Sequence, residues 1–166
     1  KNEIKKLEKI VGKKDQEIVT DFENRFAKIT GTGECISYAS ARMGFYEIME
    51  YINIKKGDEI IILGATCSVM INAIKRKGAI PRYSDIDRNT LGSDSNTIKS
   101  LINKKTKLII AQHSFGIPCD IIPIVDIAKE KKIFLLEDCA LTLGSSYKNQ
   151  KVGNFGNAAI FSTDHT

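Results

Sequence analysis

The sequence predicts an α/β fold, a mostly parallel sheet covered by helices on both faces. Three observations carry this expectation. Strand-like runs such as "DEIIIL" (58–63) and "IFLLED" (133–138) are continuously apolar, as in strands buried on both sides. They alternate with helix-like segments, the pattern of βαβ units. Polar residues follow each strand, at 64–67, 112–114, 137–138 and 162–166, where parallel sheets gather their ligands.

The elements follow in order. Residues 2–11 carry Ile4, Leu7 and Ile10 at helical spacing, and residues 16–29 carry Ile18, Phe22 and Phe26. "GTGE" (31–34) stops the second helix. A helix is expected from Ser40, a candidate N-cap, to Ile52. "DEIIIL" is the first strand, and "TCSVMINAIKRKG" (66–78) is a helix with Gly78 as its C-cap. "AIPRYSDI" (79–86) is a second strand, with Pro81 marking a strand start or a sheet edge. "SNTIKSLIN" (95–103) is a short helix, "KLIIAQH" (107–113) a strand and "DIIPIVDIAKEKK" (120–132) a helix. "IFLLED" and "AAIFS" (158–162) are the last strands.

Composition bounds the function. The 166 residues are 42% hydrophobic and 27% charged, which fits one globular domain with a sizeable core and excludes a disordered chain. No apolar run is long enough for a bilayer, so no membrane partner is expected. The opening "KNEIKKLEKIVGKKDQE" is too charged for the core of a signal peptide. The chain begins with Lys1 rather than Met, which is expected of a processed or incomplete N-terminus. Net charge is +5 and the pI about 9.0, but the lysines are scattered or mixed with Glu3 and Glu8. That pattern predicts a solvated face rather than a nucleic-acid partner, and it suits phosphorylated small molecules. Cys35, Cys67, Cys119 and Cys139 form no C-x-x-C pair, so no metal is expected and reduced thiols in a cytoplasmic protein are the default.

Asp138 is the main candidate for chemistry. It ends the apolar run "IFLL", and a carboxylate at the top of an inner strand is costly without a partner. Either it caps the following turn, or it faces a bound cation, for which the protonated ring nitrogen of pyridoxal 5'-phosphate would serve. Such a pair is worth roughly 4 kcal/mol at about 4 Å and an effective dielectric near 20. The helix start either binds nothing, as most capped starts do, or offers a phosphate the amides of Ala41 and Arg42, where Arg42 adds a charge. His113 ends a strand and reads either as a structural hydrogen-bond partner or as a proton-transfer group. Asp164 and His165 read equally as turn formers or as active-site groups.

Several segments, in this order, resemble the DegT/DnrJ/StrS sugar aminotransferases, which are fold type I pyridoxal-phosphate enzymes. They are "FENRFAKITG", "KKGDEIIILGATCSVMINAI", "KGAIPRYSDID", "TKLIIAQHSFGIPCDI" and "LLEDCALTLGSSYKNQKVGNFGNAAIFS". The likeness spans about residues 21–166. It implies an N-terminal helical segment (1–30) and a cofactor-binding large domain (31–166) whose C-terminal remainder lies beyond this chain. In the family a lysine, five residues after the Phe-Ser serine, forms the Schiff base with the cofactor. Counted from Ser162, that lysine falls immediately after Thr166, as expected of a fragment or of a chain interrupted at a modified lysine.

The resemblance also implies site residues. Asp138 matches the partner of the pyridine nitrogen, Ala41 and Arg42 the phosphate-binding Gly-Thr step, and Ser162 a second phosphate ligand. Cys67 lies where many members stack an aromatic ring on the cofactor, and Leu141 where many carry a Gln. Cys67 offers a polarisable sulfur in place of a ring, and Leu141 offers no hydrogen bond, which marks a divergent subgroup. The implied reaction is transamination of a keto sugar, usually nucleotide-linked, with glutamate as donor, in surface-polysaccharide or secondary-metabolite biosynthesis. A cytoplasmic homodimer is implied as well. The alternatives are a pyridoxal-phosphate-dependent sugar dehydratase of the same fold, with His in the lysine's place, and a non-catalytic nucleotide-binding α/β domain. The second lacks a G-x-G-x-x-G after any strand.

Overall fold

A computed structural model describes residues 15–31 and 33–163, which form parts of two compact units, 1–37 and 38–166. In the first unit, α1 (Asp15–Thr30) covers the second predicted helix. Its exposed face carries an Arg25–Asp21 ion pair at 2.9 Å, one helical turn apart. Glu23 accepts hydrogen bonds from the Ser37 amide (2.6 Å) and hydroxyl (2.9 Å), fixing the chain that leaves the helix. The helix expected at 2–11 lies outside the described residues, as do Asp164 and His165.

The second unit begins with α2 (Ala41–Tyr51) and continues through β1 (Glu59–Leu63), α3 (Ser68–Arg76) and β2 (Ile80–Ser84). Next come α4 (Ser95–Leu101), β3 (Thr106–Gln112), α5 (Ile121–Lys131) and β4 (Phe134–Asp138). The short strands β5 (Ser146–Tyr147), β6 (Gln150–Lys151) and β7 (Ala158–Ile160) complete it. The main sheet has the order β2-β1-β3-β4-β7, and every pair in it is parallel. Pro81 sits in an edge strand, where its missing N–H interrupts no inner ladder.

Two apolar layers sandwich the sheet. Ile60, Ile62, Leu108, Ile110 and Leu136 pack with Phe45 and Met49 of α2 and Ile74 of α3. The intervening residues Ile61, Ile109, Ala111 and Leu135 pack with Ile98 of α4 and Ile121 and Ile124 of α5. This explains the unbroken apolar runs, because successive strand residues face opposite sides and both sides are covered. All five residues of β1 are buried.

Two local features depart from the sequence-based expectations. Residues 146–151 form a separate antiparallel hairpin, with Lys148 (φ 45°) and Asn149 (φ 67°) in the left-handed region at its turn. Lys is a rare occupant of such a turn, so the usual Asn-Gly signal is missing. The last strand pairs only over Ala158–Ile160, leaving Phe161 and Ser162 past its end.

Candidate functional site

Chain order and sheet order together locate the crevice. The chain passes from β1 outward to β2 and returns on the other side of β1 to β3, so the winding reverses between β1 and β3. Loops at the carboxyl ends of these strands diverge there and leave room for a ligand. Across that gap the Gln112 amide group donates to the Ala65 carbonyl and to Ser114 Oγ, both at 3.2 Å. These two acceptors fix its orientation and leave Oε1 buried without a partner among the described residues. Thr66 Oγ1 and Thr142 Oγ1, in the loops after β1 and β4, are likewise buried and without a partner among the described residues. Unsatisfied polar atoms on this edge are what a polar ligand would resolve.

Asp138 ends β4 and pairs in register with Gln112. By strand alternation both lie on the side of Leu136 and Ile110, the layer that holds α2. Asp138 is 7% exposed. Its Oδ1 accepts the Ala140 amide at 3.1 Å, and Oδ2 has no hydrogen-bond partner among the described residues. The turn-capping and the open-carboxylate readings are thus each realised by one oxygen. Burial pushes the Asp138 carboxyl above its ordinary pKa, against a smaller opposing pull from the Ala140 amide. A cation or N–H donor placed on Oδ2 would reverse that penalty.

Ala41 and Arg42 open α2. The helix packs Phe45 and Met49 on the sheet layer of Ile110 and Leu136 and leads through residues 52–58 into β1. Ser40 is the N-cap in extended geometry, but its side chain makes no capping bond. Its carbonyl accepts from the Met43 and Gly44 amides, while those of Ala41 and Arg42 have no partner among the described residues. The helix end is therefore an open donor pair at the positive end of the dipole. Cys67 is exposed at the N-cap of α3, directly after the β1 loop, and Ser162 is half-buried two residues beyond β7. Leu141 lies on the rim, 56% exposed.

Sequence marks the neighbour of Asp138 only as a polar residue at a strand end and gives it no role. Glu137 is fully buried on the opposite side of the sheet. Its Oε1 accepts the amides of Phe155 and Gly156, both at 2.7 Å, and its Oε2 accepts the Gly153 amide at 2.8 Å and meets His113 Nε2 at 3.2 Å. His113 Nδ1 accepts the Cys119 amide at 3.1 Å, so the ring is neutral with its proton on Nε2. Burial raises the Glu137 pKa, but the bonds from His113, Gly156, Gly153 and Phe155 outweigh it and hold the group below the ordinary range. The signal was the "GNFG" run (153–156), whose backbone amides a buried acid needs.

His113, Glu137 and Cys139 place three metal-ligand atoms within 4.8 Å of one another. All are committed elsewhere: Glu137 to three amides, His113 to Cys119 and Glu137, and the Cys139 thiol to its protonated form, since burial raises its pKa. The cluster reads as packing.

The family model of the DegT/DnrJ/EryC1/StrS aminotransferase family matches residues 2–164. A GDP-perosamine synthase of Escherichia coli O157:H7 is 35% identical over 144 residues, covering 87% of this chain and 40% of that protein. A dTDP-3-amino-3,6-dideoxy-alpha-D-galactopyranose transaminase of Aneurinibacillus thermoaerophilus is 37% identical over the same shares. The crystal structure of a GDP-4-keto-6-deoxymannose-3-dehydratase variant with bound GDP-perosamine superposes with a TM-score of 0.80 at 28% identity, over 87% of this chain and 39% of that one. The chain thus spans about 40% of the length of the relatives it matches. It belongs to the DegT/DnrJ/EryC1/StrS aminotransferase family.

Proposed function

We propose that this chain is the cofactor-binding portion of a pyridoxal-phosphate-dependent aminotransferase that acts on a nucleotide-linked keto sugar in polysaccharide biosynthesis. Aminotransferases of this family are pyridoxal-phosphate enzymes, and the relatives named above act on GDP- and dTDP-linked sugars. The observation that carries the reading is the buried Asp138, with one oxygen committed to Ala140 and the other without a hydrogen-bond partner among the described residues, at the carboxyl edge of the sheet.

When bound, the cofactor supplies an electron sink for a carbanion formed beside its ring. Asp138 would hold a proton on the ring nitrogen, which keeps that sink strong. The amides of Ala41 and Arg42, the Arg42 guanidinium and Ser162 would hold the phosphate and so fix the ring's distance from Asp138. Cys67 would cover one face of the ring with its sulfur. A lysine following Thr166 would carry the proton transfers, with glutamate as donor. A cytoplasmic homodimer belongs to the same reading.

Purified full-length protein is expected to be yellow and to retain the cofactor covalently after borohydride reduction. A colourless protein that takes up no cofactor would refute this. The dehydratase neighbour favours one second reading, sugar dehydration on the same scaffold. The residue after Thr166 separates the two: lysine supports transamination and histidine supports dehydration.

A further inference from the structure

We propose that Glu137, together with His113, is a positioning pair that sets Asp138 and Ser162 against one another; this rests on the cofactor reading above. Three segments converge on the Glu137 carboxylate. The first is β4 itself, whose next residue is Asp138. The second is the loop 153–156, held by three amide bonds of 2.7–2.8 Å, which leads directly into β7 and Ser162. The third is the turn after β3, held through His113 to the Cys119 amide.

His113 also reaches Asp138 directly, because its own backbone amide donates to the Asp138 carbonyl at 3.1 Å. Pyridine-nitrogen partner and phosphate-side serine thus hang on one buried carboxylate, while neither touches it. Alternation along the strand makes this possible, since Glu137 and Asp138 project from opposite faces. The loop packs closely where it lies. A Cβ on Gly156 would lie 2.8 Å from the Leu135 carbonyl oxygen, and one on Gly153 (φ +88°) 2.6 Å from Phe161 Cζ. The Phe161 ring thereby couples the loop to the residue just before Ser162.

Glu137→Gln tests the idea with little change of shape. Its amide must turn an NH2 either toward the Gly153 amide and the His113 Nε2 proton or toward the amides of Phe155 and Gly156, so one branch is lost. In the full-length protein with pyridoxal 5'-phosphate, the variant is expected to melt cooperatively. Its cofactor dissociation constant should rise about tenfold, its visible circular dichroism band should weaken, and kcat should fall on the order of 100-fold with little change in KM. A variant that exchanges the amides of Gly153, Phe155 and Gly156 faster, yet keeps wild-type cofactor affinity, spectrum and kcat, would show Glu137 to be merely structural.

A second measurement needs no variant. If loop and cofactor are coupled, the coupling is reciprocal. Saturating the wild type with pyridoxal 5'-phosphate should then slow exchange of those three amides more than exchange in β1, and equal slowing would overturn the proposal. Wild-type protein that binds no cofactor would instead overturn the reading on which this one rests.

Discussion

Two adjacent acids show how far burial alone determines a group. Glu137 is buried, accepts three amide bonds and stays ionised; Asp138 is nearly as buried, accepts one, and its carboxyl is pushed upward. The signs of their pH dependence therefore differ. Glu137, lowered in the folded state, stabilises the fold above the ordinary glutamate range, and that stability is lost as pH falls through its folded pKa. Asp138, raised in the folded state, makes the cofactor-free fold lose stability as pH rises through the carboxylate range. Asp138→Asn should therefore leave the apo protein as stable at pH 7 as the wild type, or more stable, because Asn Oδ1 still accepts from Ala140 and the buried charge is gone. Turnover should fall on the order of 100- to 1000-fold, the scale of the lost ion pair. Melting temperatures of the apo proteins between pH 4 and 8, set beside steady-state rates, check both halves; turnover that stays at the wild-type level would leave Asp138 only the turn cap.

At the scale of elements, the N-terminus of α2 separates helix formation from anion binding. Ala41 is the first helical residue, so its amide bonds nothing in the helix, and Ser40 before it is extended (φ −157°, ψ 151°). Proline is tolerated at both the backbone geometry and the position, and it removes one donor. Ala41→Pro should keep the wild-type melting temperature within a few degrees while weakening pyridoxal 5'-phosphate binding about tenfold, the worth of one charge-assisted hydrogen bond. Titration calorimetry would detect it, and unchanged affinity would remove Ala41 from the phosphate site. This helix was legible in the sequence from Ser40, the candidate N-cap, which holds the N-cap position without a side-chain capping bond. The hairpin at 146–151 was not, because its turn uses Lys148-Asn149, and its strands are only two residues long, too short for an alternating pattern. Asp138 could be read from its place at the end of "IFLLED". Glu137 could be read only by pairing it with the "GNFG" amides, which folding brings back from sixteen and more residues away.

Across the whole second unit, regular strands fill the middle of the sheet and close backbone approaches crowd its carboxyl edge. Gly92 sits at one of these approaches. The Ser93 amide donates to the Gln112 carbonyl at 3.1 Å, and Ser93 Oγ accepts the Gln112 amide at 2.9 Å, so the segment before α4 is stitched to the end of β3. A Cβ on Gly92 would meet the Gln112 carbonyl oxygen at 2.7 Å and Cys119 Cβ at 2.8 Å. Neither neighbour is the free end of a flexible side chain. Gln112 is held by Ser93, and Cys119 lies in the turn tied to His113. Gly92→Ala must therefore displace the end of β3 itself, at a cost of about 1–3 kcal/mol. It should also shift Gln112, the register partner of Asp138, and so lower cofactor affinity although the residue lies outside the proposed cofactor contacts. A variant that loses stability by this amount and binds pyridoxal 5'-phosphate as the wild type does would show that the edge yields without disturbing Asp138. Loss of both together would show that the tight approaches at this edge also hold the site in place.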